Sequence, residues 1–415
     1  MENKINSMPR ICLLAETFYP IVGGGESHSR LLSEKLIEGG VDLFVITRQV
    51  ISNLRRYEIV GKIPVYRVRP SGFKRLGKYL MTIPVFWKLV KKRNEYDILY
   101  VCGIRTLGFI AVLISILFRK KCVLRAESCT EMSGGFMKQG VMGRNKLLLE
   151  VIDIIIMLRN RILRGADCFI SISNVIRSEF LLCNVEPWKI EYIPNGIDTD
   201  KFSPVDEDTK FMLRNRLNIP PKKFIFSYSG KLDKGKGLEL LLRIWKRLVT
   251  EYEGLHLVLI GSGENQFLSC ENELRQFVKK YNLEKSMTFT GYVENVNEYL
   301  QCSDCFILLS ESESFSISLA EALSCELPCI ATRVGGIPDF IWDDENGRLA
   351  DVGDEEGIHN IIVELLKNQG LAKMMGKKGR RTVIERFGIE SVMNEYMTLF
   401  SSLVEGGRSA KVRHA

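Results

Sequence analysis

Two glutamates in the second half of the chain have a spacing suited to ligand binding. Glu313 lies in a polar loop after the apolar run 306–309, and Glu321 lies eight residues later on a helix predicted over 315–324. Eight residues are about two helical turns, so both carboxylates could face one ligand. The amides at 314–318 would be the free N–H groups of a helix start, which bind anions. The alternative is a pair of solvated glutamates at a helix border.

A glycine-rich segment with two lysines precedes this unit. Residues 230–237 read GKLDKGKG, follow a strand predicted over 224–229 and lead into a helix predicted over 238–250. Glycines allow close backbone approach to a ligand, and helix-start amides attract negative charge. Lys231 and Lys236 would add two cations, an arrangement that suits a diphosphate. The alternative is an ordinary turn with two solvated lysines.

The first half of the chain repeats this organisation. Gly23, Gly24 and Gly25 separate an apolar strand from a helix predicted to begin at residue 26. Glu127 and Glu131 follow a later strand and could bind ligand hydroxyls or act as acid–base groups. The alternatives are a tight turn and acids that stabilise a helix N-terminus.

Strand and helix patterns alternate in both halves, which predicts parallel, doubly wound α/β sheets. Glycine loops after such strands place ligands at the carboxyl ends of the sheet. Besides the strand that precedes the glycines at 23–25, the predicted strands of the first half are 42–47, 64–68, 97–101, 122–125, 166–173 and 189–194, and those of the second half are 224–229, 255–260, 287–290, 306–309 and 328–332.

In order and spacing, these segments resemble the GT4-type retaining glycosyltransferases of the GT-B fold (glycosyltransferase group 1). The resemblance covers about residues 9–403 and includes the loops described above and the N-G-I-D turn at 195–198. It implies two doubly wound Rossmann-like domains facing across a cleft. Residues 1–195 would form the acceptor-binding domain, with a helix at about 388–403 packing back on it, and residues 196–387 would bind the nucleotide-sugar.

The resemblance also implies roles for individual residues. Lys231 and Lys236 would stabilise the leaving diphosphate, Glu313 would lie beside the sugar, and Glu321 would bind the ribose. Together with Glu127 on the acceptor side, the first three are the predicted catalytic residues. The predicted donor-binding residues are Gly24, Gly25, Gly230, Lys231, Lys236, Gly261, Gly263, Val293, Glu313, Phe315, Ser316, Ile317 and Glu321.

The chain departs from the family pattern at three places. Ser314 and Ser316 replace the two glycines of the usual E-G-F-G, which could alter how the backbone approaches the phosphates. Lys231 replaces an arginine and so cannot form a two-pronged phosphate contact. Glu127 stands where many relatives have a histidine near the sugar.

The predicted reaction is sugar transfer from a UDP- or GDP-linked donor to an acceptor, with retention of anomeric configuration. Neither a cofactor nor a metal is expected, because the lysines and helix-start amides stabilise the leaving group. A D-x-D motif at 198–200 is too short to argue for a metal. Two alternatives stay open: another GT-B enzyme, such as a sugar-nucleotide epimerase, and a non-catalytic sugar-nucleotide or lipid-binding protein.

Positive charge is concentrated in the first half of the chain. Residues 1–203 contain 31 Lys and Arg against 19 Asp and Glu, whereas the remainder contains 27 against 31. Residues 59–94 contain ten basic residues and no acidic one, interleaved with aromatic and aliphatic side chains. This composition is typical of a helix on an anionic membrane surface, and equally of an ordinary packed helix. It motivates the hypothesis that the acceptor is a lipid-linked glycan in polysaccharide or glycolipid synthesis. No nucleic-acid recognition motif accompanies the charge.

Cysteine content and hydropathy bear on the cellular compartment. The eleven cysteines are scattered and mostly lie in apolar runs, which favours reduced thiols. The longest uncharged apolar run, 107–118, is shorter than the about 20 residues of a membrane-spanning helix. The sequence therefore predicts a cytoplasmic protein, and the basic segment 59–94 adds the hypothesis that it associates peripherally with the inner face of the membrane.

Overall fold

Residues 8–72, 77–138, 146–264, 266 and 268–405 are described by the structure, a computed structural model. The chain divides into two units. The first contains the residues up to Gly196 and those from Ile389 onward, and the second is Ile197–Gly388. None of the eleven cysteines, all of which the structure describes, forms a disulfide bond.

The first unit is built on an eight-stranded sheet with the order β3-β4-β2-β1-β5-β6-β7-β8. All neighbouring strands are parallel except β3 and β4. The central strands are fully buried apolar runs, as expected where helices cover both faces. The strands are β1 Ile11–Ala15, β2 Leu43–Arg48, β3 Tyr57–Val60, β4 Ile63–Val68, β5 Ile98–Cys102, β6 Lys121–Arg125, β7 Cys168–Ser171 and β8 Ile190–Tyr192. The helices are α1 Gly24–Glu38, α2 Gly77–Leu80, α3 Thr82–Lys91, α4 Gly108–Phe118, α5 Gly135–Lys138, α6 Lys146–Leu163 and α7 Asn174–Leu182.

The second unit contains a six-stranded parallel sheet with the order β11-β10-β9-β12-β13-β14. Its strands are β9 Phe224–Ser229, β10 Leu255–Ile260, β11 Met287–Gly291, β12 Cys305–Leu308, β13 Cys329–Thr332 and β14 Arg348–Ala350. Its helices are α8 Glu207–Arg216, α9 Leu238–Glu251, α10 Glu271–Lys280, α11 Val296–Gln301, α12 Ile317–Ser324, α13 Glu355–Lys367 and α14 Gln369–Phe387. The prediction of two doubly wound α/β sheets is therefore confirmed.

The last helix, α15 Ile389–Val404, belongs to the first unit although it follows the second in sequence. It packs against α1, and Lys35 forms an ion pair with Glu390 at 2.8 Å. The hydroxyl of Tyr100 in β5 donates to that of Tyr396 in α15 at 2.9 Å. These contacts bury one face of α15 in the first unit's core.

Strand order fixes where each sheet can bind a ligand. It reverses between β1 and β5 in the first sheet, and between β9 and β12 in the second. Ligands of open α/β sheets bind beyond the carboxyl ends of the strands at such switch points. The glycine loops after β1 and β9 and the Glu313 loop after β12 all begin at these ends.

The basic segment 59–94 does not form a single helix, so the prediction of one helix there is wrong, and its contact with a membrane stays a prediction. It contains the end of β3, the whole of β4, and the helices α2 and α3. Arg67 is buried and pairs with Glu58 at 2.5 Å, because it lies on β4 next to the antiparallel β3. Lys92 is also buried and lies 4.1 Å from the ring centre of Tyr66. Lys74 and Arg75 lie outside the described residues.

Candidate active site

The loop between β9 and α9 is folded tightly onto the loop that follows β12. Gly237 has φ +68°, and a Cβ there would lie 2.0 Å from the Leu309 carbonyl oxygen. The amide of Glu311 donates to the carbonyl of Gly235 at 2.9 Å. Glycine is therefore required where the two backbones meet, and the two loops form one surface at the end of the sheet.

Lys236 and Glu313 form the charged centre of this surface. The Lys236 ammonium lies 2.8 Å from Glu313 Oε1, and the Ser310 hydroxyl donates to the same oxygen at 2.8 Å. The Glu313 side chain is only 12% exposed, so the ammonium is held in a partly desolvated position. Lys231 is exposed, and its backbone carbonyl accepts a hydrogen bond from the Tyr228 hydroxyl. Of the two predicted phosphate-binding lysines, the structure fixes Lys236 in place.

The start of α12 keeps a glycine-like backbone without glycine. Ser316 caps the helix with φ +78°, and its hydroxyl is buried without a hydrogen-bond partner among the described residues. The first amides of a helix have no partner within it, so those from Ile317 onward are available to an anion. The Phe315 side chain instead lies in the core, with ring centres 5.1 Å from Phe340 and 5.6 Å from Phe387. Any ligand contact at Phe315 would therefore use its backbone.

Glu321 lies on the second turn of α12. Burial raises the pKa of its carboxyl to about 8, although the Lys201 ammonium opposes this shift. No hydrogen bond to this carboxyl is present among the described residues. A half-buried carboxyl without a partner is costly, so ligand hydroxyls could satisfy it.

The remaining predicted donor-binding residues border the same end of the sheet. Gly230 lies against Gly261, where a Cβ would come within 2.0 Å of the Gly230 carbonyl oxygen. The Gly263 amide donates to Glu271 Oε2 at 2.7 Å, which orders the loop after β10. Val293 is partly buried in the loop after β11. These positions follow β9, β10 and β11, which are neighbours in the sheet.

Gly24 and Gly25 form the first turn of α1 in the other unit. A Cβ at Gly25 would lie 2.5 Å from Glu127 Oε2, so this carboxylate rests directly on the helix start. Glu127 also pairs with Arg125. Burial and the nearby Glu26 carboxylate raise the pKa of Glu127, although the Arg125 guanidinium opposes this shift. The structure thus brings Glu127 and the glycine loop together.

Sequence reasoning missed the residue that holds Glu127. Arg125 is completely buried at the end of β6, and its guanidinium also donates to the side-chain oxygen of Asn195. A charged residue ending a buried strand was the available signal. His28 lies nearby and accepts a hydrogen bond from the Gly196 amide at 3.1 Å through Nδ1. Burial and the Arg125 charge lower the pKa of His28 well below its ordinary value, so its imidazole is neutral.

Glu131, the second acid predicted after β6, is enclosed by the protein. Its carboxylate accepts hydrogen bonds from the amides of Ile104 at 2.8 Å and Ser128 at 3.1 Å. Burial raises its pKa to about 7. These bonds give Glu131 a role in ordering the loop that carries Glu127.

Two family models match the chain. The model for glycosyltransferase family 4 matches residues 22–201, and the model for glycosyl transferases group 1 matches residues 209–382. The chain belongs to the group 1, GT4-type glycosyltransferases, and it is an enzyme of that class with the GT-B fold. This assignment favours the transferase over the epimerase and the non-catalytic binding protein.

Named relatives include enzymes that act on very different acceptors. N-acetyl-alpha-D-glucosaminyl L-malate synthase of Bacillus anthracis is 28% identical over 95% of this chain and 98% of its own length. The phosphatidylinositol N-acetylglucosaminyltransferase GPI3 subunit of Saccharomyces cerevisiae is 25% identical over 80% of this chain and 69% of its own.

Solved structures share the fold at low sequence identity. Sucrose-phosphate synthase of Thermosynechococcus elongatus has a TM-score of 0.79 at 21% identity, covering 96% of this chain and 100% of its own. HepE of Anabaena, solved with UDP, has a TM-score of 0.74 at 18% identity, covering 95% of this chain and 100% of its own.

Proposed function

We propose that this enzyme transfers a sugar, with retention, from a UDP-sugar to a lipid-linked acceptor, and that the sugar is N-acetylglucosamine. The observation that carries the proposal is the Lys236–Glu313 pair at the start of α12, next to the glycine loop after β9. HepE was solved with UDP and with UDP-glucose, which favours UDP over GDP. Two relatives are named as N-acetylglucosaminyl enzymes, which favours that sugar.

The second unit would stabilise the leaving UDP. As the bond between the anomeric carbon and the diphosphate breaks, negative charge grows on the diphosphate. The Lys236 ammonium, the α12 amides and the exposed ammonium of Lys231 would stabilise it without a metal. That no metal takes part stays a prediction. Glu321 would hold the ribose hydroxyls, and Glu313 would fix Lys236 and lie beside the sugar.

Retention would follow from attack on the same face that the diphosphate leaves. The acceptor oxygen bonds to the anomeric carbon, and its proton passes to a leaving phosphate oxygen. Such a reaction needs groups held in position more than a protein nucleophile. Glu127, fixed by Arg125 and the α1 glycine loop, would orient hydroxyls on the acceptor side.

A lipid-linked acceptor would place the enzyme at the cytoplasmic face of a membrane. The positive charge of residues 1–203 would favour an anionic membrane surface. Within the described residues, none of the helices combines the length and apolar character that crossing a bilayer requires.

The test is nucleotide binding followed by turnover. UDP, GDP and ADP are compared by thermal shift, and UDP-N-acetylglucosamine, UDP-glucose and GDP-mannose by nucleotide release with membrane lipid extract. We expect stabilisation by UDP alone and release from UDP-N-acetylglucosamine. Lys236→Ala should lower the rate about 10²-fold, whereas Lys234→Ala, an exposed lysine in the same loop, should not.

The stereochemical claim has its own measurement. An NMR spectrum of the first-formed product should show the same anomeric configuration as the donor. An inverted product would contradict retention, and stabilisation by GDP in place of UDP would contradict the proposed donor.

A further inference from the structure

Helix α6 is apolar on both its buried and its exposed side. Ile152, Ile156 and Leu163 are buried against the first unit. Six further aliphatic side chains of α6 are exposed: Leu147, Leu148, Val151, Ile154, Ile155 and Leu158. Clustered apolar side chains on the exposed side of a helix mark a surface that binds a partner or a membrane.

The neighbouring helices extend this apolar surface. Helix α4 packs against α6 and exposes Ile116 and Leu117, each 63% accessible. Helix α3 packs against α4 and exposes Ile83 and Trp87. We call the exposed apolar side chains of α3, α4 and α6 the apolar face. Exposed apolar surfaces of this extent mark binding sites for proteins or membranes.

A groove of about 360 Å³ opens in this face between α4, α5 and α6. Phe109, Ile155 and Leu158 contribute apolar walls, and Arg105 and Arg159 contribute two guanidinium groups. Both guanidinium groups lie over the Phe136 ring, at 5.1 and 5.6 Å from its centre. The groove therefore joins hydrocarbon-like walls to two guanidinium groups, of which that of Arg105 also lies 3.6 Å from Glu131 Oε1 and donates to the Ser128 hydroxyl.

Arg159 has capacity for an anion. Its Nη2 donates to the carbonyls of Glu131 and Met132 at 2.6 and 2.7 Å. Its Nη1 is buried and has no hydrogen-bond partner among the described residues. An unpaired buried N–H of a guanidinium is costly, and a phosphate oxygen would satisfy it.

Basic residues border the apolar face on each helix. Lys91 lies one turn from Trp87 on α3, Arg119 follows the end of α4, and Arg161 is one turn from Leu158 on α6. Acidic residues on α6 are Glu150 and Asp153, and Asp153 is paired with Lys138 at 2.5 Å. Apolar side chains bordered by cations fit the interface of a bilayer that contains anionic lipids.

We propose that the apolar face docks on a bilayer containing anionic phospholipids. The groove then holds the phosphate of one lipid at Arg105 and Arg159, with its hydrocarbon chain along α6. This inference rests on the proposed function in one respect: a lipid-linked acceptor would reach the enzyme at this surface. It places membrane contact on α3, α4 and α6 in place of the whole of residues 59–94.

Vesicle flotation tests the docking surface. The full chain is mixed with phosphatidylcholine vesicles, with or without about 30% phosphatidylglycerol. We expect binding to the anionic vesicles that weakens with salt, and at least a tenfold loss in Ile154→Gln/Leu158→Gln. Leu182→Gln is the matched control, because Leu182 is an 85% exposed leucine on α7, outside the apolar face. It should bind like the parent chain.

The groove is tested with Arg105→Gln and Arg105→Lys. The glutamine variant should bind anionic vesicles several-fold more weakly and neutral vesicles unchanged, and the lysine variant should restore part of the preference. The inference would be overturned if the parent chain did not bind anionic vesicles, or if the α6 double variant bound them as well as the parent chain does. The inference would also be overturned if the parent chain were a dimer that binds no vesicles and the double variant were a monomer, because the apolar face would then be a dimer interface.

UDP-induced thermal stabilisation is measured on the same preparations. Vesicle binding without a UDP response would refute the proposed donor and leave the docking surface standing. A UDP response without vesicle binding would refute only the docking surface.

Discussion

Ser316 holds a backbone conformation that favours glycine. Its φ of +78° lies in the left-handed region, which costs a non-glycine residue about 1–3 kcal/mol. Ser316 thus adopts a glycine-like backbone at the position where the resemblance to the family predicts a glycine.

Ser316→Gly should stabilise the protein. Relief of strain exceeds the entropy that glycine adds to the unfolded chain, so we expect a gain of about 1 kcal/mol, or about 2–4 °C in Tm. Ser314→Gly in the same loop is the control, because Ser314 has no positive φ; it should lower Tm. Thermal unfolding measures both, and a lower Tm for Ser316→Gly would contradict the strain argument.

Glu321 should make stability depend on pH. Its folded pKa of about 8 lies above the ordinary value of 4.5, so the folded state holds this proton more tightly than the unfolded state. Its contribution to stability is fully present below pH 4.5 and is lost as pH rises through about 8. Glu321→Gln cannot ionise, so its Tm relative to the parent should rise between pH 5 and pH 9.

The same variant separates stability from binding. Glutamine lacks the carboxylate proposed for the ribose, so Glu321→Gln should bind UDP about tenfold more weakly. Glu311→Gln, an exposed glutamate in the preceding loop, should change neither property. A Tm difference that stays constant with pH would show that Glu321 does not titrate as described.

At the scale of elements, local patterns predicted most of the fold. Strand β9 was predicted over 224–229 and β10 over 255–260, and both have those bounds in the structure. Mostly apolar runs ended by glycine are strong local signals. Strand β3 was missed because it is short, largely exposed and stabilised by pairing with β4.

The candidate site was less predictable because its contacts join distant segments. Lys236 and Glu313 were each singled out, yet their ion pair joins loops 77 residues apart in sequence. Arg125 holds Asn195 across 70 residues, and no local pattern indicates that bond. Spacing identifies which residues are candidates, whereas the sheet order decides which of them meet.

Gly335→Ala tests the loop that supports Glu313. With φ +54°, a Cβ at Gly335 would lie 1.5 Å from the Glu313 carbonyl oxygen, so the loop must move. We expect a loss of about 3 kcal/mol and weaker UDP binding. Gly254→Ala is the matched control, because Gly254 has φ +75° and open space around its Cβ position. It should cost about 1 kcal/mol and leave UDP binding unchanged, as calorimetric titration would show.

At the scale of the whole molecule, the first unit is built from two separate parts of the chain, one before and one after the second unit. Helix α15 follows the second unit but completes the core of the first. The first unit therefore cannot finish folding until the last helix has been synthesised. The second unit, Ile197–Gly388, is continuous in sequence and contains every proposed UDP-binding residue except Gly24 and Gly25.

This division predicts that alanine substitutions of two buried phenylalanines lower stability alike but differ in their effect on UDP affinity. Phe400 on α15 packs on Tyr100 and Tyr396 in the first unit, with ring centres 5.6 Å from each. Phe340 packs under the start of α12 in the second unit, against Phe315. Each change to alanine should cost about 3–5 kcal/mol of stability.

The two variants should differ in UDP affinity, measured at 15 °C, well below their lowered Tm. Phe400→Ala should keep the UDP affinity of the parent chain. Phe340→Ala should bind UDP about tenfold more weakly, because it removes the support of the α12 helix start. Thermal unfolding and calorimetric titration on the two variants give both quantities. Equal loss of UDP affinity in both would show that donor binding depends on the first unit's core as much as on the second unit's loops.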